Sequence, residues 1–156
     1  MAKAGPLFGA IQGRIEIGPL VRERASAFAN TYFKAQEAID FSRDDVETFA
    51  VPDWAPPRQQ WLPVAALRQW DLKAGRARLD QLIITLGVDQ HTDDFCGPTL
   101  CLVLHNEGLV FRQGRIAHAT LAGEWFIFDD RRRHGVRSAK GAAAYMALTV
   151  PLVQSR

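Results

Sequence analysis

The sequence predicts a mainly β fold with N-terminal helices, an α+β arrangement whose C-terminal half closes as a sandwich or barrel of the jelly-roll kind. Three observations carry this. Short apolar runs crowd the second half of the chain: Thr99 to Leu104, Gly108 to Phe111, Ile116 to Leu121, Trp125 to Phe128 and Ala144 to Val150. Glycine-containing pairs divide them, Glu107-Gly108, Gln113-Gly114 and Ala122-Gly123, which is the punctuation of strands joined by turns. The first 40 residues instead carry apolar side chains at helical spacing.

In chain order, residues 8 to 17 mix apolar side chains with Gly13 and predict a short strand before Gly18-Pro19. From Leu20 to Asp40, Val21, Ala25, Phe28, Tyr32, Ala35 and Ile39 recur every three or four residues, the stripe of an amphipathic helix lying on a packed surface. Ser42, with Asp45 three places on, marks the start of a further turn of helix. Pro52 to Pro63 holds four prolines and two tryptophans, which breaks any regular element and predicts an ordered loop. Val64 to Leu72 reads as a short helix ending near Gly75, and Leu79 to Val88 as one buried strand around Leu82-Ile83-Ile84.

The chain has 156 residues, 47% of them hydrophobic and 23% charged, enough for one domain with a core that needs no disulfide or structural metal. We expect a single domain over 1–156, with a helical and loop region at 1–78 packed on a jelly-roll core at 79–156. The net charge of +2 is spread along the chain, with Arg131-Arg132-Arg133 as its one run. This tilts toward an anionic partner, a small molecule or a polymer, and does not amount to a nucleic-acid signature. Cys96 and Cys101 stand five apart with no second pair, so neither a disulfide framework nor a four-ligand zinc site follows; both read as small buried hydrophobes. No segment has the apolar length of a signal peptide or of a membrane span, so a cytoplasmic protein is expected.

The chemistry points to His91, Asp93 and His134. His91-Thr92-Asp93 offers an imidazole and a carboxylate two residues apart, which on a strand face the same side, and His134 follows the apolar run Trp125-Phe126-Ile127-Phe128. Two imidazoles and one carboxylate are the donor set that holds non-haem Fe(II) on one face and leaves positions open. The three-letter pattern is weak by itself, since roughly three in ten random chains of this composition would carry it. The competing reading is a surface His-Asp pair in a loop and a histidine held by neighbouring arginines. Asp94 points to the other side of a strand from Asp93 and reads as a solvated carboxylate, while His105 and His118 read as polar-face residues. The tryptophans at 54, 61 and 70 read as packing a cap onto the core.

From His91 to Leu152 the order of these pieces resembles the 2-oxoglutarate and Fe(II)-dependent dioxygenases: the His-x-Asp, the strand Thr99 to Leu104, Ala122-Gly123-Glu124 leading into Trp125 to Phe128, then His134-Gly135-Val136 and a last strand. The resemblance covers about 40% of the chain. It implies a cupin-like double-stranded β-helix, Fe(II) held by His91, Asp93 and His134, and 2-oxoglutarate as co-substrate. The implied activity is hydroxylation or demethylation of a second substrate with release of succinate and CO2. Where many members carry an arginine or lysine on the last strand to pair with the far carboxylate of 2-oxoglutarate, this chain has Ala143, Ala144 and Tyr145. Arg137, Arg112 and Lys140 are the remaining candidates for that role; a guanidinium fork suits a carboxylate best, which favours Arg137, then Arg112. A jelly roll that binds a metal or ligand without turnover is the alternative, and a purely structural jelly roll a third.

Overall fold

A computed structural model describes residues 5–37, 46–94, 97–137 and 143–155. Among the described residues eleven strands form two antiparallel sheets that face each other, the arrangement of a jelly roll. The larger sheet contains β1 (Ile11–Arg14), β9 (Glu124–Asp129), β6 (Pro98–Asn106), β11 (Tyr145–Gln154), β4 (Gln81–Thr85) and β2 (Val46–Ala50) in that order, and β3 (Leu72–Ala74) pairs with the far end of β11. The smaller sheet is β5 (Val88–His91), β10 (His134–Arg137), β7 (Val110–Gln113) and β8 (Ile116–Ala119). The first half of the chain thus supplies strands to both edges of the larger sheet as well as its covering helix.

α1 (Pro19–Glu37) forms where the apolar stripe predicts it. Pro19 suits a first helical position because its missing N–H would find no partner there. Ala25 and Ala29 are buried, and small side chains on this face let the helix approach the larger sheet closely. Val21, Phe28 and Tyr32 pack around them against Leu82, Ile84, Leu102, Leu148 and Val150. Residues 38 to 40 of the expected helix, and the Ser42/Asp45 turn, lie outside the described residues.

A second core fills the space between the sheets, with Cys101, Val103, Phe126, Phe128, Tyr145 and Ala147 from the larger one and Phe111 and Val136 from the smaller. Alternation along β6 and β11 sends neighbouring residues to the two cores in turn, so both strands are buried on both faces and read as continuous apolar runs.

Three local expectations need correction. The proline-rich tract holds one helical turn, α2 (Arg58–Trp61), and α3 (Val64–Gln69) stops before Leu72, where β3 begins. Arg58 pins this region with a fork onto Asp80 (2.9 and 2.5 Å) and a bond to the Gly75 carbonyl (2.8 Å). The single strand expected over Leu79 to Val88 is two strands on different sheets. Gly87, with φ 127°, makes the corner, and the Thr85 hydroxyl accepts its N–H at 3.0 Å. That conformation is open to glycine and closed to a β-branched residue, so the apolar pattern runs through a turn that it does not reveal. β2 and β10 were also not anticipated as separate strands; at five and four residues, each is too short for its alternation to stand out. The tryptophans behave as expected: Trp61 is buried in the core, and Trp54 lies 6.4 Å from the ring of Phe28.

Candidate metal centre

The corner at Gly87 delivers β5 to the edge of the smaller sheet, where it pairs with β10 so that His91 stands opposite His134. The two rings are 4.6 Å apart between centroids. Close approach of these strands depends on Gly135. A Cβ there would lie 2.9 Å from backbone atoms of Val88, Asp89 and Gln90, closer than side chains are tolerated. His134 is nearly buried, its ring tilted against that of Phe128 with centroids 4.9 Å apart, whereas His91 lies nearer the surface.

Asp93 corrects the simple strand picture. β5 ends at His91, so Asp93 does not reach the site by strand alternation. Its backbone N–H donates to the Asp130 carbonyl at 2.7 Å, which fixes the loop against the turn between β9 and β10. From there Oδ2 of Asp93 stands 3.4 Å from Nε2 of His91 and 3.1 Å from Nε2 of His134. All three ligand atoms fall within 4.8 Å of one another, so they could hold a metal ion.

The donor chemistry fits one. Nδ1 of His91 lies 2.8 Å from the Asp89 carbonyl, and Nδ1 of His134 lies 2.8 Å from the Arg132 carbonyl. A carbonyl can only accept, so Nδ1 is the nitrogen that donates on each ring, and Nε2, the nitrogen nearer Asp93, is left to serve a metal ion. Two donors about 2.1 Å from an ion and at right angles stand about 3 Å apart, close to the separations found here.

Two residues that sequence reasoning missed brace the site. Asp130 is buried: its Oδ1 accepts the N–H of Gly97 at 2.6 Å while its carbonyl holds Asp93. Gln113, paired with His134 across β7 and β10, grips the backbone of Asp129 with both ends of its amide (2.8 and 3.0 Å). Neither belongs to a short motif, and a buried polar residue on a strand leaves no signal in the apolar pattern beyond breaking it. Arg131, Arg132 and Arg133 face solvent, as expected of a charged run.

A cavity of about 310 Å³ opens beside the three ligand residues and runs between the sheets, with a mostly apolar wall. The expected anchors do not line it. On β7, Phe111 and Gln113 turn inward, so Arg112 between them faces out. On β10, His134 and Val136 turn inward; Arg137 is exposed, and its Nε donates to Oδ1 of Asp89 at 2.7 Å. Period-two alternation puts both guanidiniums on the outer face of the smaller sheet. Lys140 and Cys96 lie outside the described residues. Among the described residues the cavity is lined by no lysine or arginine.

At its inner wall Cys101 and Tyr145 are fully buried, with Sγ 4.0 Å from the phenol oxygen. Burial pushes the Cys101 thiol up to about 12, and burial, with Cys101 beside it, pushes the Tyr145 phenol well above its ordinary value. Folding therefore favours the neutral thiol, a contribution fully present below the ordinary value of 9.0 and lost as pH rises through about 12. The expected result is that Cys101 resists iodoacetamide at pH 8.5 in the folded chain and reacts in denaturant, as read by mass spectrometry of its peptide.

No family model matches the sequence, and no curated protein is similar to it. Its likeness to solved structures lies in the fold. A Pseudomonas putida prolyl-4-hydroxylase superposes with a TM-score of 0.51 at 16% identity, covering 94% of this chain and 92% of that one. An oxidoreductase of the 2OG-Fe(II) oxygenase family from Burkholderia pseudomallei gives a TM-score of 0.41 at 11% identity, over 92% and 95% of the two chains. An RmlC-like cupin from Desulfovibrio desulfuricans gives 0.35 at 17% identity, over 72% and 89%. The chain thus has a fold like that of the prolyl-4-hydroxylase, and the superposition extends the likeness over the N-terminal half, where the sequence carries no recognisable motif. Among the described residues no helix is long and apolar enough to cross a membrane.

Proposed function

We propose that His91, Asp93 and His134 hold one Fe(II) ion and that the protein is an oxygenase. It uses dioxygen and a 2-oxo acid, 2-oxoglutarate in the family it resembles, to hydroxylate a C–H bond of a second substrate, or to demethylate it by hydroxylating a methyl group that leaves as formaldehyde, with release of CO2 and, from 2-oxoglutarate, succinate. The observation that carries this reading is the convergence of two Nε2 atoms and one carboxylate oxygen from separate stretches of chain at the mouth of an internal cavity. Fe(II) in a three-ligand face supplies open positions for a chelating keto acid and for dioxygen.

The protein's own groups do the rest. The Asp89 and Arg132 carbonyls orient the imidazoles, Asp93 offsets part of the ion's charge, and Asp130 holds the loop that carries it. Phe128, Val136 and Phe111 keep water from the inner side of the site. Gly135→Ala is expected to push β5 away from β10 and weaken divalent-cation binding by about 10–100-fold, the usual scale for disturbing a ligand's support, as measured by calorimetry.

The direct test is Fe(II)-dependent release of CO2 from a 2-oxo acid by the full chain in air. Slow turnover without a second substrate, lost in Asp93→Ala, is the expected result; no release by iron-loaded protein, with or without candidate substrates, would count against the oxygenase reading. One observation favours a second reading, a jelly roll that binds a metal and a ligand without turnover: both arginines expected to anchor the co-substrate face away from the cavity. Purified protein carrying nickel or zinc and indifferent to 2-oxo acids would support it.

A further inference from the structure

We propose that, given the metal centre above, the chamber behind it receives an uncharged polar end-group on the chelating 2-oxo acid, a carboxamide or a hydroxyl, in preference to a second carboxylate. The contacts are assigned to Thr149, Gln81 and Thr48.

The register places them together. On β11, Thr149 lies opposite Gln81 of β4 and opposite Cys101 of β6. One row along, Thr48 of β2 lies opposite Ile83 of β4. All three polar residues line the cavity. Thr149 is 9% exposed, Gln81 is half-buried and Thr48 is exposed. A ligand end-group that supplies both donors and acceptors would hydrogen-bond with all three, Thr149 being the one most shielded from water.

The type of end-group follows from the inventory. Two hydroxyls and a carboxamide offer donors and acceptors together, which match another amide or hydroxyl; a carboxylate accepts only and brings a charge. Among the described lining residues nothing positive is available to offset that charge, and an unpaired carboxylate is disfavoured between apolar walls. Pro151 and Thr99 face each other next to Phe128, whose ring abuts His134, and Thr149 is two residues, about 7 Å, beyond Pro151 along the strand.

Three N-oxalyl ligands that differ only at the tail test this on the iron-loaded full chain under nitrogen, by calorimetry: N-oxalylglycine with a carboxylate, N-oxalylglycinamide with an amide, and N-ethyloxamate with neither. The amide is expected to bind about tenfold or more tightly than the carboxylate, and Thr149→Val or Gln81→Leu to bring it down to the level of N-ethyloxamate. Tightest binding of N-oxalylglycine would overturn the assignment, above all if Lys140→Ala removed it, because a base would then occupy the chamber. Iron uptake is measured separately. A chain that takes no Fe(II) refutes the metal centre, whereas one that takes Fe(II) but does not prefer the amide refutes only the chamber assignment.

Discussion

His134→Ala is expected to lower Fe(II) affinity by more than about 100-fold and to abolish CO2 release from a 2-oxo acid. Removing a ligand's outer support typically costs 10–100-fold, and removing the ligand itself costs more. His134 is the member of the three with least tolerance for replacement. Its side chain is 8% exposed against 49% for Asp93, so no water can readily take over its coordination position without entering between Phe128 and Gln113. Its Nε2 is also the nearer of the two to the carboxylate, at 3.1 Å. The variant should fold, since β10 stays paired with β7 through four residues, and the loss should be visible as affinity rather than as aggregation. Arg137→Ala, on the outer face of the same strand, is the matched comparison: iron affinity should stay within about twofold, because its partner is the exposed carboxylate of Asp89.

Phe126→Ala is expected to destabilise the fold by about 3–5 kcal/mol, a large share of the 5–15 kcal/mol that holds a domain of this size. Phe126 has no exposed surface and lies between the sheets with Phe111 at 4.6 Å and Phe128 at 6.2 Å between ring centroids. Its ring also meets His118 edge-on at 5.3 Å, and the imidazole is itself tethered through Nε2 to the Gly9 carbonyl. Truncation would leave a void that relaxes only if one sheet moves toward the other. The fall in Tm, about 10–15 °C for a chain of this length, is read by scanning calorimetry. Since Phe128 supports His134, weaker iron binding should accompany the loss of stability.

Much of this architecture is legible in the sequence, and the parts that are not have physical reasons. α1 shows because its apolar stripe persists over five turns. β6, β9 and β11 show because they are buried on both faces, and glycine turns adjoin β6 and β9. The three candidate ligand residues show because a His-x-Asp followed by a histidine after a buried strand is a more specific order than the three-letter pattern alone, and the structure brings all three together. What the pattern conceals are the corner at Gly87, where an apolar run changes sheets without changing composition, and the arrival of Asp93 through a loop bond to Asp130 instead of along a strand.

Arg112 and Arg137, expected as anchors, stand off the cavity for a different reason. Arg112 and Arg137 stand at plausible distances along the chain, but one residue of register on a strand decides whether a side chain faces the cavity or the solvent. Their neighbours Phe111, Gln113 and Val136 take the inward positions. The same parity sends Thr149, Tyr145 and Cys101 into the cavity, and from sequence they read only as parts of apolar strands.

X-ray absorption at the iron edge of the Fe(II)-loaded full chain tests the central claim most directly. One iron per chain, with two imidazoles among nitrogen and oxygen ligands at about 2.1 Å, falling to one imidazole in His91→Ala, is the predicted result. Iron that fails to bind, or that binds with no imidazole in its shell, would contradict the account.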